Sequence, residues 1–490
     1  MNAYKKLMSH TRETVALKQV LGRLNWDQET VMPRGAAPQR AEELAALEKV
    51  LHARRTDPQV AEWLAEVTPK DAVADAQVYQ IRRSHERATK VPADLSAEIA
   101  RVTSLSQGIW AEARARDDFA AFAPTLGEVL NLRRQEADAL AQGDDRYDAL
   151  LDDYEPGESA ANLTGMFAAM RPRLVALREK ILGSETTAPA VHGPFNEPLQ
   201  MELAEACARA FGYDFDFGRL DKAVHPFTSG QGQDSRITTR TSPDEPFGCF
   251  YSTIHEVGHG CYEQNVSAEY LLTPLGEGVS MGVHESQSRI YENQLGRGRA
   301  FTGWLHGRCQ SAFGDMGLDG PDSFYAAVNA VNPGYIRTEA DEVHYNLHIL
   351  LRFDLEQALI RGDLEVADLE DAWNARFKAD FGVAVDKASN GVLQDVHWPV
   401  GLFGYFPTYS LGNVYAGCLF EALKADVPEW ETALARGDAS PATDWLRAKI
   451  QTHGALYRPR EVIEKATGKP ISVDPLLTYL EEKFSDLYNL

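Results

Sequence analysis

Residues 247–265 read FGCFYSTIHEVGHGCYEQN. No proline interrupts this segment, and the mostly apolar FYSTI before His255 is compatible with a helix. Within it stands His255-Glu256-Val257-Gly258-His259, a His-Glu-x-x-His pattern. On a helix, positions i and i+4 share a face, so both imidazoles can reach one Zn2+ at about 2.0–2.1 Å. Glu256, beside the first histidine, is placed to hold a water on the metal rather than the metal itself. Zinc lowers the pKa of such a water towards about 7, and the carboxylate takes its proton as it attacks a carbonyl. Gly258 and Gly260 each weaken a helix by roughly 1 kcal/mol, which counts slightly against the helical reading.

A catalytic zinc site needs a third protein ligand and an open position for water. Position 265, six past His259, is Asn, so that ligand comes from elsewhere. The downstream candidates are Glu263, Glu269, Glu277, His284 and Glu285. Glu263, one turn past His259, could reach only with strain. Glu269 and Glu277 lie in or beside a loop marked by Pro274 and Gly276, where solvation serves them equally well. Residues 278–296, GVSMGVHESQSRIYENQLG, read as a buried helix with polar residues on an apolar face, where a carboxylate needs a partner. Glu285, 26 positions after His259, has the separation of a ligand on an antiparallel neighbouring helix. Glu292 reads as a support for a ligand or as a packing ion pair. His344 and His348 are also four apart on a strong helix, but Tyr345 stands where a base would be needed, so the pair reads as structural or supporting.

Outward from this motif, helices dominate. The first 180 or so residues place apolar side chains three and four apart, with Asp71 and Ser159 as N-cap candidates. Gly183–Pro198 holds three prolines and no helical period, and reads as a surface connection. A helix follows near Gln200 to Phe211, then β-prone pieces among which RITTR (residues 236–240) is the best strand. ADEVHYNLHILLRFDLEQALIRGD spaces its apolar residues along one helical face and stops at Gly362. The predicted fold is mainly α with a minor β element, as one large domain or two helical lobes around a cleft.

Composition excludes several function classes. A chain with 44% hydrophobic and 25% charged residues is not disordered in bulk. No run approaches the ~18–20 apolar residues of a membrane span, and the N-terminus lacks the apolar core of a secretory signal. Five scattered cysteines without a CxxC pair fit reduced thiols in a cytoplasmic protein. A formal charge of −23 makes nucleic acid a poor partner.

Several separated strings together resemble the carboxypeptidase Taq family of zinc metallocarboxypeptidases. They are HPF at His225–Phe227, DSRIT at Asp234–Thr238, HEVGH at His255–His259, HESQ at His284–Gln287, IRTEAD at Ile336–Asp341 and GVLQDVHW at Gly391–Trp398. The N-terminal LNWDQETVMPRGAAPQRAEELAAL looks like the family's opening helices, so the resemblance spans essentially the whole chain. It implies a large helical metallopeptidase fold similar to neurolysin and angiotensin-converting enzyme. In that fold two lobes flank a deep central groove, and a small β-sheet lies beside the active site. The resemblance further implies one peptidase domain over residues 1–490, helical over about 1–185 and bearing the active site over about 197–490. The implied enzyme is a cytoplasmic homodimer that releases single C-terminal amino acids from peptides with broad specificity, generally sparing proline. Its ligands would be His255, His259 and Glu285, its general base Glu256, and its metal zinc, with cobalt able to substitute.

An enzyme acting at a peptide C-terminus must hold a desolvated α-carboxylate, and arginine's planar fork does so bidentately. Arg236 and Arg337 are the motif arginines, with Arg337 favoured as the clamp; the alternative is an ion pair with acids such as Asp234 or Asp341. His225 offers a further donor beside the substrate. The tetrahedral oxyanion needs a donor besides the metal, and His397, Tyr405 and Tyr409 are at hand, a tyrosine being favoured. Gln394, Asp395 and His397 could instead shape subsites or close the groove. The same ligands would also serve a dipeptidyl carboxypeptidase or an oligopeptidase. A non-catalytic helical scaffold is the remaining alternative.

Overall fold

The structure, a computed structural model, describes residues 2–490. Helices take up 68% of it, with one three-stranded sheet, as the mainly α reading requires. The N-caps form as read: Asp71 Oδ1 accepts from Ala74 N at 2.8 Å, and Ser159 Oγ from Asn162 N at 3.2 Å. The chain forms two compact units, each assembled from three separated stretches.

The first unit comprises the residues up to 89, 188–329 and 418–471. Its sheet has the order β1 (Leu220–Lys222), β3 (Asp234–Thr239), β2 (Thr228–Gln231). β1 runs parallel to β3 and β2 antiparallel to it, with Thr228 opposite Ile237 and Ser229 opposite Arg236. The RITTR strand thus begins two residues earlier than read, and its Ile237, Thr238 and Thr239 are buried. Onto this sheet packs the helix Phe247–Asn265, which also contacts the helices Glu197–Ala210 and Met281–Arg289. Cys249, Phe250, Ile254, Val257 and Cys261 of the 247–265 helix are almost fully buried. Burial of that apolar stripe offsets the low helix propensity of its three glycines. The N-terminal helix Ala3–Thr30 meets β2 and the start of β3: Arg23 pairs with Asp234 at 2.7 Å, and the Arg236 guanidinium lies 4.4 Å from the Trp26 ring centre.

The second unit comprises residues 90–187, 330–417 and 472–490. At its centre runs the helix Glu342–Arg361, contacted by the helices Ala160–Leu182, Leu369–Phe381 and Phe119–Ala141. Asp341 caps its start, accepting from Val343 N and His344 N at 3.0 Å each, and Gly362 stops it with φ +89°. The single apolar face read from the sequence is only part of the picture. This helix is buried nearly all round, including a polar stripe at four-residue spacing: His344, His348, Arg352 and Glu356.

Candidate metal centre

The helical phase of His255 and His259 brings both rings to one side of the 247–265 helix, and Glu285 of the 281–289 helix meets them there. One ligand atom from each of the three lies within 4.8 Å of the others. His255 Nε2 and His259 Nε2 stand 3.8 and 3.5 Å from Glu285 Oε2. The two helices can approach this closely because of Gly258. A Cβ there would lie 2.6 Å from both Gln287 O and Ser288 Cα. The glycine that weakens the helix locally is thus required by the crossing that delivers Glu285. Gly260 has a similar reason, facing the Tyr213 ring and Ile237.

The surrounding hydrogen bonds orient all three groups. His255 Nδ1 lies 2.9 Å from Glu292 Oε2, so the carboxylate accepts a hydrogen bond from Nδ1–H and leaves Nε2 bare. Glu292 is itself held by Arg289 and Arg297 at 3.4 and 3.2 Å, in a segment, Ile290–Gly296, where the helix widens into π turns. Glu285 accepts from Arg289 Nε at 2.6 Å and Ser288 Oγ at 3.2 Å. Burial works against its charge, but Arg289 and the two histidines hold its pKa far below the usual carboxylate range. Burial lowers His259 to about 3, although Glu285 opposes it; His255 is raised, because Glu285 and Glu292 outweigh burial. An N, N, O donor set with two imidazoles and one carboxylate fits a divalent ion of the zinc type.

Glu256 is buried, and the Thr228 hydroxyl lies 2.6 Å from its Oε2. Its pKa is raised by burial, with His255 and Thr228 partly opposing, in the direction a general base needs. Of the other candidate ligands, Glu263 pairs with His284 at 2.8 Å, Glu277 with Lys18 at 2.8 Å, and Glu269 is exposed. His284 Nδ1 faces His259 Nδ1 at 2.6 Å. Arg236 is tied to Asp234 at 2.7 and 3.1 Å, and His225 is exposed between β1 and β2.

In the second unit a buried charge cluster gathers the other motif residues. Arg337 donates through Nε and Nη2 to Asp395 Oδ1 at 3.0 and 2.9 Å. Its acid is therefore Asp395, not Asp341, which instead caps its helix and meets His344 at 2.8 Å. The other oxygen of Asp395 takes Arg352 Nε at 2.7 Å. His397 Nε2 lies 3.3 Å from the Tyr409 hydroxyl, and the Tyr405 ring packs against both, at 5.6 and 5.3 Å between centres. Burial lowers His397 to about 4 although Asp395 opposes, so the ring is neutral near pH 7. Glu356 accepts from Tyr147 OH and Trp398 Nε1 at 2.9 Å each and from Gly404 N at 3.3 Å, fastening the loop that carries Asp395 and His397. Arg352 and Glu356 were missed in the sequence. Their signal was the four-residue periodicity continuing from His344 and His348.

Comparison with known proteins agrees with the six motifs. Residues 6–484 match the family described as Carboxypeptidase Taq (M32) metallopeptidase. Thermostable carboxypeptidase 1 of Thermus thermophilus is 43% identical, with 99% of each chain covered. Carboxypeptidase 1 of Bacillus subtilis is 34% identical, covering 99% of this chain and 97% of its own. The crystal structure of an M32 carboxypeptidase from Deinococcus radiodurans superposes with a TM-score of 0.95 at 37% identity, covering both chains fully. The chain is an enzyme, a metallocarboxypeptidase, and it belongs to the carboxypeptidase Taq (M32) metallopeptidase family.

Proposed function

We propose that the chain releases single amino acids from peptide C-termini, with His255, His259 and Glu285 holding Zn2+ and Glu256 acting as general base. The observation that carries this reading is the convergence of three donor atoms within 4.8 Å, with the His255 Nδ1 occupied by a carboxylate. When bound, the metal supplies Lewis acidity to the scissile carbonyl and to a water; cobalt can take its place. Glu256 takes the water's proton and passes it to the leaving amine nitrogen. Thr228 holds Oε2 of Glu256, so Oε1 is the oxygen that moves the proton.

The substrate α-carboxylate is assigned to Arg337. Two guanidiniums, of Arg337 and Arg352, share the one carboxylate of Asp395, so this cluster keeps a positive charge for a further anion. Tyr405 and Tyr409, with His397, are the proposed donors to the tetrahedral oxyanion, and Arg236 and His225 are further substrate contacts. The reading extends to broad specificity, a cytoplasmic location and a homodimer. Buried free thiols support the cytoplasmic part, and among the described residues no helix is long and apolar enough to cross a membrane. The test compares metal-loaded protein on N-blocked peptides with free and amidated C-termini. Stepwise loss of single residues from the free acid only is expected. Dipeptide release, or equal cleavage of the amide, would favour a dipeptidyl carboxypeptidase or an oligopeptidase.

A further inference from the structure

The two imidazoles of the centre are supported differently. His255 Nδ1 meets a carboxylate directly, whereas His259 Nδ1 lies 2.6 Å from another imidazole nitrogen, Nδ1 of His284. On its far side, His284 Nε2 lies 2.8 Å from Glu263 Oε1, which also accepts from Gly278 N–H at 3.0 Å. Glu263 is 5% exposed, and the His284 ring is partly buried, with Gly278 so close that a Cβ there would lie 2.6 Å from His284 Cδ2.

This chain of hydrogen bonds has only one consistent direction. A carboxylate only accepts, so with both rings neutral the His284 proton sits on Nε2 and its Nδ1 is bare. A bare Nδ1 must accept from His259, whose proton therefore sits on its own Nδ1. His259 Nε2, the atom 3.5 Å from Glu285 Oε2, is left with a free lone pair. We propose that Glu263 is a positioning residue that selects the metal-binding tautomer of His259, and that His284 transmits that selection. The inference rests on the ligand set proposed above.

The ordering of two substitutions tests it. In Glu263→Gln, an amide oxygen at the Oε1 position keeps both bonds, from Gly278 N–H and from His284 Nε2–H, so the ring protons stay where they are. Glu263→Leu fills similar space but removes the acceptor, so the His284 proton is no longer held on Nε2 and that of His259 is no longer held on Nδ1. Zinc dissociation constants are measured by chelator competition on the metal-free full chain, with unfolding curves recorded alongside. Glu263→Leu is expected to bind zinc about 10–100-fold more weakly, the range typical of outer groups, and Glu263→Gln to bind it as wild type does. If Glu263 merely fills space, Leu is as mild as Gln, and that equality would overturn the proposal. Should Glu263→Leu not fold, nitrogen–proton correlation NMR of metal-free wild type decides: a His259 proton on Nδ1 supports the proposal, and one on Nε2 overturns it. Failure of the ligand set is seen separately, as Glu285→Ala retaining full zinc stoichiometry.

Discussion

Gly258→Ala tests whether the helix crossing makes the metal site. The added Cβ would lie 2.6 Å from Gln287 O and Ser288 Cα and 2.8 Å from Gln287 C, all backbone atoms. Carbon atoms rest at about 3.5–4.0 Å, so the two helices must part by roughly 1 Å. Gln287 and Ser288 lie less than one turn beyond Glu285, so that displacement carries its carboxylate away from both histidines. A metal site tolerates about ±0.2 Å in ligand distance, several times less than the imposed shift. We therefore expect a zinc affinity loss of at least the ~10–100-fold typical of changes outside the ligand shell. Overpacking should also destabilise the fold by about 1–3 kcal/mol. The control is Gly307→Ala in the helix Arg299–Phe313, where an added Cβ meets nothing within 4 Å. There the substitution should stabilise by up to ~1 kcal/mol through helix propensity alone. Zinc competition titrations and urea unfolding of both variants decide the matter. A Gly258→Ala protein that binds zinc normally and gains stability like the control would refute the reasoning.

Four further outcomes are expected. Glu256→Gln should keep its metal but lose ~10²–10⁴-fold in turnover, because the proton acceptor is gone while the ligands remain; near-normal kcat would sink the base assignment. Glu285→Ala should fall well below one metal per chain by elemental analysis, and an unchanged ratio would demand a different third ligand. Arg337→Ala should sharply impair cleavage of peptides with a free C-terminus; a kcat/KM on them equal to that of wild type would remove the clamp. The fourth concerns pH. Burial pushes Glu356 up to about 8, against the opposing hydrogen bonds from Trp398, Tyr147 and Gly404. An unfolded carboxyl ionises near 4.5. Between these values the unfolded chain loses a proton that the folded chain keeps. Stability from this group is thus complete below about 4.5 and lost as pH rises through about 8, by at most ~1.4 kcal/mol per unit. Glu356→Gln should remove that slope, and parallel stability–pH profiles for variant and wild type would contradict it.

The helical class, the strand at RITTR, the caps at Asp71 and Ser159 and the stop at Gly362 were legible because each depends on residues within a turn or two. So did the pairing of His255 with His259, since i and i+4 share a face on any helix. What lay beyond reach was the choice of partner across distance. Asp341, four residues from Arg337, looked the nearer acid, yet packing gives that arginine Asp395, 58 residues away, and shares it with Arg352. Glu263 and His284, read as possible ligands, instead stand in line behind His259. Gly258 counted as a propensity defect until the crossing helix explained it. Local chemistry sets which way a side chain leaves its helix; only the packing of one helix on another sets what it meets there.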